Sequence, residues 1–445
     1  MYRDLTKGRI SSTLLIFSFP IIAGDLLQQL YNIADTLIVG RVLGTTALAA
    51  VGSSYTLMTF LTSVFLGLGM GAGALFSIYL GQREQKRLRL AVVHAFVLII
   101  GITLLVNAAV YLWMDPILRF LQIPNDVWKG MKEYLTIIFA GLAATSLYNF
   151  GTCLLRAMGN SSVPLFFLGI ATAMNIGLDL LFVAVFGWGI AGAAIATILA
   201  QYVSGIGITL YILCKCRDLL PRQEELTFDS HVLKEIFSLS ALTCLQQSVM
   251  NFGILMIQGL VNSFGSVVMA GFAAAVKIDT LAYLPVQDFG NAYSTFIAQN
   301  YGAENHERIR KGTRDAFGIS MVFSVVMSAF VYGLATPLMR IFVESGETSV
   351  IAAGVQYLHI EGAFYIGIGC LSLFYGYCRG IKRAGVSVVL TVCSLGTRVL
   401  LAYALAPVIG EIGIWMAIPI GWGLADLAGA VFLRKSMVSG GHKAA

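Results

Sequence analysis

Residues 25–35, DLLQQLYNIAD, sit inside an apolar run, 14–39, that is long enough to cross a bilayer. Asp25, Gln28, Asn32 and Asp35 recur at i, i+3, i+7 and i+10. In a helix they share one face within roughly 80°. A helix with one polar stripe in lipid must turn that stripe toward other helices or a water-filled cavity. A carboxylate there costs roughly 3 kcal/mol even by the lower estimates, so it is a functional candidate by default. The alternative is a structural acid paired with a neighbouring Arg or Lys. That role suits Asp25, nearer the membrane edge, better than Asp35, deeper along the helix.

Composition agrees with a membrane setting. Apolar residues make up 58% of the chain and charged residues only 12%, about half the usual soluble share. The start, MYRDLTKGRISSTLLIFSFPII, has a basic lead and an apolar run. Pro20 and Asp25 then interrupt it without a small-residue cleavage site, which points to an uncleaved first span. The seven Cys are scattered through apolar segments and suggest neither a disulfide framework nor a zinc site. The net charge of +6 is no nucleic-acid footprint, because the basic residues sit in loops. With no HExxH or GxSxG motif, an intramembrane enzyme is poorly supported.

Twelve long apolar segments follow one another, the first at 10–40 and the last at 412–433. With the N-terminus placed in the cytoplasm, 22 of the 29 Lys and Arg residues fall in cytoplasmic segments, Arg222 and Lys443 among them. That bias predicts an even number of spans with both termini inside. The expected class is therefore an all-α polytopic membrane protein of twelve transmembrane helices.

The chain also repeats. LQQLYN at Leu27 is echoed by LQQSVMN at Leu245, and GQREQKR at Gly81 by GAENHERIRK at Gly302. LRAMGNSSVP at Leu155 is echoed by CRGIKRAGVS at Cys378. The offset stays near 220, which predicts two pseudo-symmetric six-helix bundles, 1–214 and 231–445, joined by a polar cytoplasmic linker, 215–230. Parallel repeats of this kind are a transporter architecture. The halves differ in charge: Asp35 falls opposite Ile254 or Leu255, so the acidic stripe belongs to the first half alone.

Asn175 and Asp179 are i and i+4 on the fifth apolar segment, with Thr172 on the same face. Asp35 and Asp179 are the two acids near mid-span in the first half. Brought together they would titrate as a unit, and could hold a proton or, with amide and hydroxyl oxygens, a small hard cation such as Na⁺. In the second half, Lys277, Asp279, Asp288, Glu361, Arg398 and Asp426 lie in or near spans. Both signs are present, so interhelical ion pairs are the first expectation, and a second cation site or substrate contact the other. GLGMGAG at Gly67 reads as close helix packing, since it has no flanking strand. Pro20 is expected to bend the first helix just before the polar stripe. The many Phe, Tyr and Met residues suit an adaptable cavity for flat cations, and equally an ordinary membrane core.

Residues 20–44 with their central Asp, LRAMGNSSVP, NIGLD followed by GIAGAAIAT, and STFIAQNYGAEN at Ser294 occur in this order over twelve spans. On these the chain resembles the MATE (multidrug and toxic compound extrusion) family over nearly its full length. The resemblance implies a V-shaped pair of six-helix lobes exporting organic cations in exchange for H⁺ or Na⁺. It is strongest to the DinF-like branch, whose coupling site lies in the N-terminal lobe. The branch's acid, Asn–Asp pair and Thr match Asp35, Asn175, Asp179 and Thr197, and its supporting Tyr and Asn match Tyr134 and Asn149. The NorM-like branch fits less well, because it places an acid on the seventh helix, where this chain has Gln246, Gln247 and Asn251.

The expectation is thus a monomeric antiporter of the bacterial inner membrane. It binds small organic cations and lipid, takes no nucleic acid, and has no cofactor beyond the coupling ion. The rival reading is a lipid-linked oligosaccharide flippase of the same superfamily, which tends to have fourteen spans and a basic cavity.

Overall fold

The computed structural model of the chain describes residues 3–120, 125–221, 227–344 and 346–441. Arg222 and Lys443, and linker residues 222–226, lie outside the described residues. Among the described residues there is no β-strand. In lipid every backbone polar group must be satisfied internally, and a helix does this within one segment. Apolar composition therefore becomes helix almost throughout.

The helices are α1 (Ile10–Leu43), α2 (Thr45–Gly81), α3 (Gln85–Leu112), α4 (Met114–Phe120), α5 (Asn125–Ala140), α6 (Leu142–Ala157), α7 (Ser162–Asp179) and α8 (Gly189–Lys215). They continue with α9 (Ser230–Asn262), α10 (Ser266–Gly302), α11 (His306–Phe342), α12 (Thr348–Glu361), α13 (Tyr365–Gly380), α14 (Ala384–Ile409) and α15 (Glu411–Gly441). Among the described residues, eleven helical spans are long and apolar enough to cross a membrane. A pair bent by 47°, Val127–Ala140 with Leu142–Ala157, makes twelve when counted as one span.

The sequence repeat is also a backbone repeat. Gly44 and Gly265, 221 residues apart, precede α2 and α10 with φ of 84° and 94° and nearly extended ψ, a combination open essentially to glycine. Arg83 and Glu304, at the same offset, both take φ near +55° (58° and 54°). The fourth span breaks at Gly141, between α5 and α6, and the tenth at Gly362–Phe364, a single 3₁₀ turn between α12 and α13. At Gly141 a Cβ would sit 2.6 Å from Gln201 Oε1 and 2.8 Å from Ile198 Cγ2, so the break coincides with a close approach to α8.

The chain forms two compact units. One comprises Met1–Asp4 and Ala23–Cys244, and the other Leu5–Ile22 and Leu245–Ala445. The start of α1 therefore packs with the C-terminal helices. Arg308 donates to the carbonyls of Leu5, Lys7 and Gly8, Gln299 Oε1 accepts from the Leu5 N–H at 3.0 Å, and Ser11 donates to Asp315 at 2.7 Å. Pro20 lies inside α1 just before the chain passes to the first unit. In the first unit, the opening turns of α9 pack on the glycines of α2. A Cβ at Gly67 would lie 2.5 Å from Cys244 Cα, and one at Gly71 2.5 Å from Ser240 Cα. Gly69 and Gly73 approach Cys153 of α6. GLGMGAG is thus a packing face toward two helices, as its composition predicts.

Aromatic rings fill the core of the second unit. Phe272 stacks on Trp415 at 5.2 Å, and Tyr357 meets both edge-on. All three rings are buried. The first unit has smaller clusters, one of which (Val39, Ala47, Tyr134, Val183, Ala193) surrounds the polar group described next.

Candidate cation site

Four helices of the first unit bring polar side chains together. Helix α1 contributes Asp35 and, one turn earlier, Tyr31. Helix α7 contributes Asn175 and Asp179, α8 contributes Thr197, and α5 contributes Tyr134. Asp35, Asn175, Asp179 and Thr197 are all buried, Asp179 completely at 0% exposure. The i, i+4 spacing puts each helical pair on one face, and the small residues GIAGAA at the start of α8 allow that helix to approach. Immediately after Asp179 the helix widens into a π-helical turn, Leu180–Val185, a local irregularity common at functional sites.

Thr197 is the hub. Asn175 Nδ2 donates to its Oγ1 at 3.4 Å, and the Tyr31 hydroxyl donates to the same oxygen at 3.4 Å. The carboxyl groups of Asp35 and Asp179 adjoin each other, and Tyr134 lies beside both. Four acceptor oxygens in this small volume close no hydrogen bond of ordinary geometry, although the Asn175 amide adjoins Asp179: Asp35 Oδ1, Asn175 Oδ1 and both oxygens of Asp179. Two buried carboxylates with no cation between them are strongly unfavourable. A proton bridging the acids would relieve this, as would a hard cation drawing on carboxylate, amide and hydroxyl oxygens. Among the described residues no group of three or more His, Cys, Asp or Glu could hold a metal ion. With two acids, the cluster suits a monovalent ion or a proton better than a divalent metal.

The remaining sequence candidates are placed differently. Asp25 sits 3.9 Å from Arg156, the partly exposed structural pair expected of it. Gln28 is exposed and Asn32 half-buried, and neither takes part in the hydrogen bonds at Thr197. The reason is height along the helix: Tyr31 stands one turn from Asp35, at the level of Thr197, whereas Gln28 lies two turns, about 10 Å, away on nearly the same face. Asn149 lies on α6, beyond the break at Gly141 that separates it from Tyr134 on α5, and is likewise absent from those bonds. Thr172 is buried one turn before Asn175. Sequence reasoning passed over Tyr31. Its signal was its position four residues before Asp35, hidden because an aromatic residue on a membrane helix is ordinarily packing.

In the second unit Asp279 and Glu361 are both buried and adjoin each other. Tyr357 donates to Asp279 Oδ2 at 3.3 Å, and Arg398 lies within electrostatic range of both acids. Asp279 Oδ1, Glu361 Oε2 and Arg398 Nε meet no hydrogen-bond partner. Among the described residues these acids close no ion pair within 4 Å. Lys277 is exposed on the same helix as Asp279. Asp288 is buried in α10, and Asp426 Oδ1 is buried without a partner.

Comparison with known proteins agrees with this architecture. The MatE family matches residues 20–181 and 241–404, once in each half. The chain is 30% identical to the probable multidrug resistance protein YpnP of Bacillus subtilis, over 97% of this chain and 96% of that protein. It is 25% identical to the probable multidrug resistance protein NorM of Thermotoga maritima, over 92% and 88%. Among solved structures, a multidrug resistance MATE family transporter of the MOP superfamily, captured outward-facing, superposes with a TM-score of 0.93 over 98% of both chains at 23% identity. From its repeated six-helix halves to the motifs within them, this chain belongs to the MATE family.

Proposed function

We propose that this protein exports organic, mainly cationic, toxic compounds across the bacterial inner membrane in exchange for H⁺ or Na⁺. The observation that carries this reading is the buried cluster of unpartnered oxygens on Asp35, Asn175 and Asp179, gathered beside Thr197. A site with a fixed deficit of positive charge takes up a cation whenever one can reach it. Loading from outside neutralises the cluster and weakens its hold on a cationic substrate, which leaves outward. The loaded carrier then turns inward and discharges. Pro20, close to where α1 passes from one unit to the other, is the point at which α1 repacks. Both termini are cytoplasmic in this scheme, following the distribution of Lys and Arg, and the working unit is one chain. Moving one charge is worth about 2.3 kcal/mol per 100 mV, so one-for-one exchange has useful drive. The oxygens' position in the N-terminal half supports, as part of this proposal, a place in the DinF-like branch.

Ethidium efflux from inverted vesicles tests this, with ΔpH and ΔNa⁺ imposed separately on wild type and Asp35→Asn. One gradient should drive efflux, and the variant should lose it. Wild type that moves no dye under either gradient, or a variant that keeps full activity, would refute the mechanism.

A further inference from the structure

A second pair of glycines sets the register between the polar centres of the two halves. Gly187 and Gly410 both take left-handed φ, 67° and 69°, and stand 223 residues apart. Arg156 and Arg379, in the echoed motifs LRAMGNSSVP and CRGIKRAGVS, keep the same spacing. At that offset Tyr134 corresponds to Tyr357, and Asn175 to Arg398. The second unit therefore has a polar centre at the positions that hold the oxygen cluster in the first, built from different residues.

Asp279 of α10 and Glu361 of α12 adjoin each other there, 2% and 3% exposed. Tyr357 donates to Asp279 Oδ2 at 3.3 Å, and Tyr283 and Arg398 lie within electrostatic range of both acids. The Tyr365 hydroxyl of α13, on a fully buried ring, lies beside Asp279 yet closes no hydrogen bond of ordinary geometry. Asp279 Oδ1, Glu361 Oε2 and Arg398 Nε are likewise unpartnered. The surrounding helices add little charge. α9 has no charged residue from Ile236 to Asn262, α11 has none from Ala316 to Met339, and α15 brings only Asp426, which faces Gly367 of α13. Two carboxylates against one guanidinium leave a single negative charge among buried oxygens, a strongly unfavourable state. One proton, or one monovalent ion held by carboxylate and phenol oxygens, balances it.

We propose that Asp279 and Glu361 form a second cation site, which takes one proton or one monovalent ion such as Na⁺, with Arg398 as the fixed counter-charge that limits it to one. In the first unit the neutral Asn175 stands at the Arg398 position, so the acid pair there keeps two charges to balance. The inference concerns binding within the second unit and is independent of the transport reading.

Purified full-length protein carrying Asp35→Asn and Asp179→Asn silences the first cluster and isolates the second. Infrared difference spectra between acid and alkaline pH read a protonated carboxyl, and retention of radioactive sodium reads the ion. This background protein should show a titrating carboxyl band if the occupant is a proton, or one bound sodium if it is Na⁺. Adding Asp279→Asn with Glu361→Gln should remove that signal. Adding Arg398→Gln instead should tighten binding of the positive charge about tenfold or more, since a nearby opposite charge that favoured the ionised acids is gone. A background protein with neither signal would overturn the proposal, as would a signal that survives the two acid substitutions. An Arg398→Gln protein with unchanged affinity and only a lower melting temperature would also overturn it, because that is the mark of a structural ion pair. Should the acid-substituted protein fail to fold, the background signal and its shift in Arg398→Gln decide. Failure of these binding signals leaves dye efflux through the first cluster untouched, so the two readings fail separately.

Discussion

Asp35 and Asp179 adjoin each other from two different helices, and three of their four carboxylate oxygens close no hydrogen bond of ordinary geometry. Folding has brought together groups that repel, without supplying a basic side chain between them. If, as proposed, a cation or proton occupies this site, its occupancy and the protein's stability should be linked.

Asp179→Asn should raise stability and abolish coupling together. The amide removes one of two facing charges and supplies an N–H₂ donor to the other carboxylate. A hydrogen bond to a charged group is worth about 1.5–3 kcal/mol. The melting temperature of the purified variant should exceed that of wild type at neutral pH, while gradient-driven efflux falls at least tenfold. A variant less stable than wild type would show that the carboxylate has a partner in the fold.

Tyr31→Phe should separate affinity from turnover. It deletes one of two long hydrogen bonds at Thr197, each 3.4 Å, and leaves both acids in place. Efflux measured against coupling-ion concentration should show a weaker apparent affinity for the ion and a near-normal maximal rate. The stability cost should be small, about 0.5–1 kcal/mol.

Asp25→Asn should be nearly silent. Its pairing with Arg156 is 3.9 Å long and partly exposed, and such pairs contribute about 0–1 kcal/mol. Efflux and melting temperature should both stay close to wild type, in contrast to the same substitution at Asp35.

Gly71→Ala and Gly318→Ala should differ in sign. At Gly71 the new Cβ would lie 2.5 Å from Ser240 Cα and 2.7 Å from the Leu239 carbonyl, so backbone must move, at about 1–3 kcal/mol. At Gly318 nothing lies within 4 Å, and the helical site should gain about 0.5–1 kcal/mol. Thermal unfolding of the two proteins side by side checks both signs.

Outside the membrane, the Asp229 carboxylate caps the start of α9. It accepts the N–H of His231 at 2.9 Å and of Val232 at 3.2 Å, and these bonds to the charged form hold its pKa below the ordinary carboxylate value. A depressed folded-state pKa gives stability that is present above the unfolded-state value and lost as pH falls through the folded one. Asp229→Ala should therefore lower the melting temperature at neutral pH, and the difference should shrink in acid. A difference independent of pH would leave capping by the charged form unsupported.

The fold was largely legible in the chain, because lipid leaves a long apolar segment one way to satisfy its backbone. Span number and internal repeat both follow from apolar length and spacing, and Gly44 and Gly265 show the repeat persisting in torsion angles. Three of the four residues of the oxygen cluster were legible too: Asp35 stands out as an acid in an apolar run, and Asn175 and Asp179 share a helix face. Thr197 carried no periodic signal of its own and came only through family resemblance. Tyr31 carried none at all.

What the sequence determined alone is local: which segments are helical, which acids lack a nearby counter-charge on their own helix, and where glycine lets helices close. Tertiary structure alone decided that Tyr31 and not Gln28 joins Asp35. It also decided that Asp179 meets Asp35, that the fourth span breaks between Tyr134 and Asn149, and that Leu5–Ile22 packs with the C-terminal unit. The physical reason is that helix periodicity places side chains on faces, but the level at which each helix meets its neighbours, and its rotation about its own axis, are chosen by packing. No single segment contains that information.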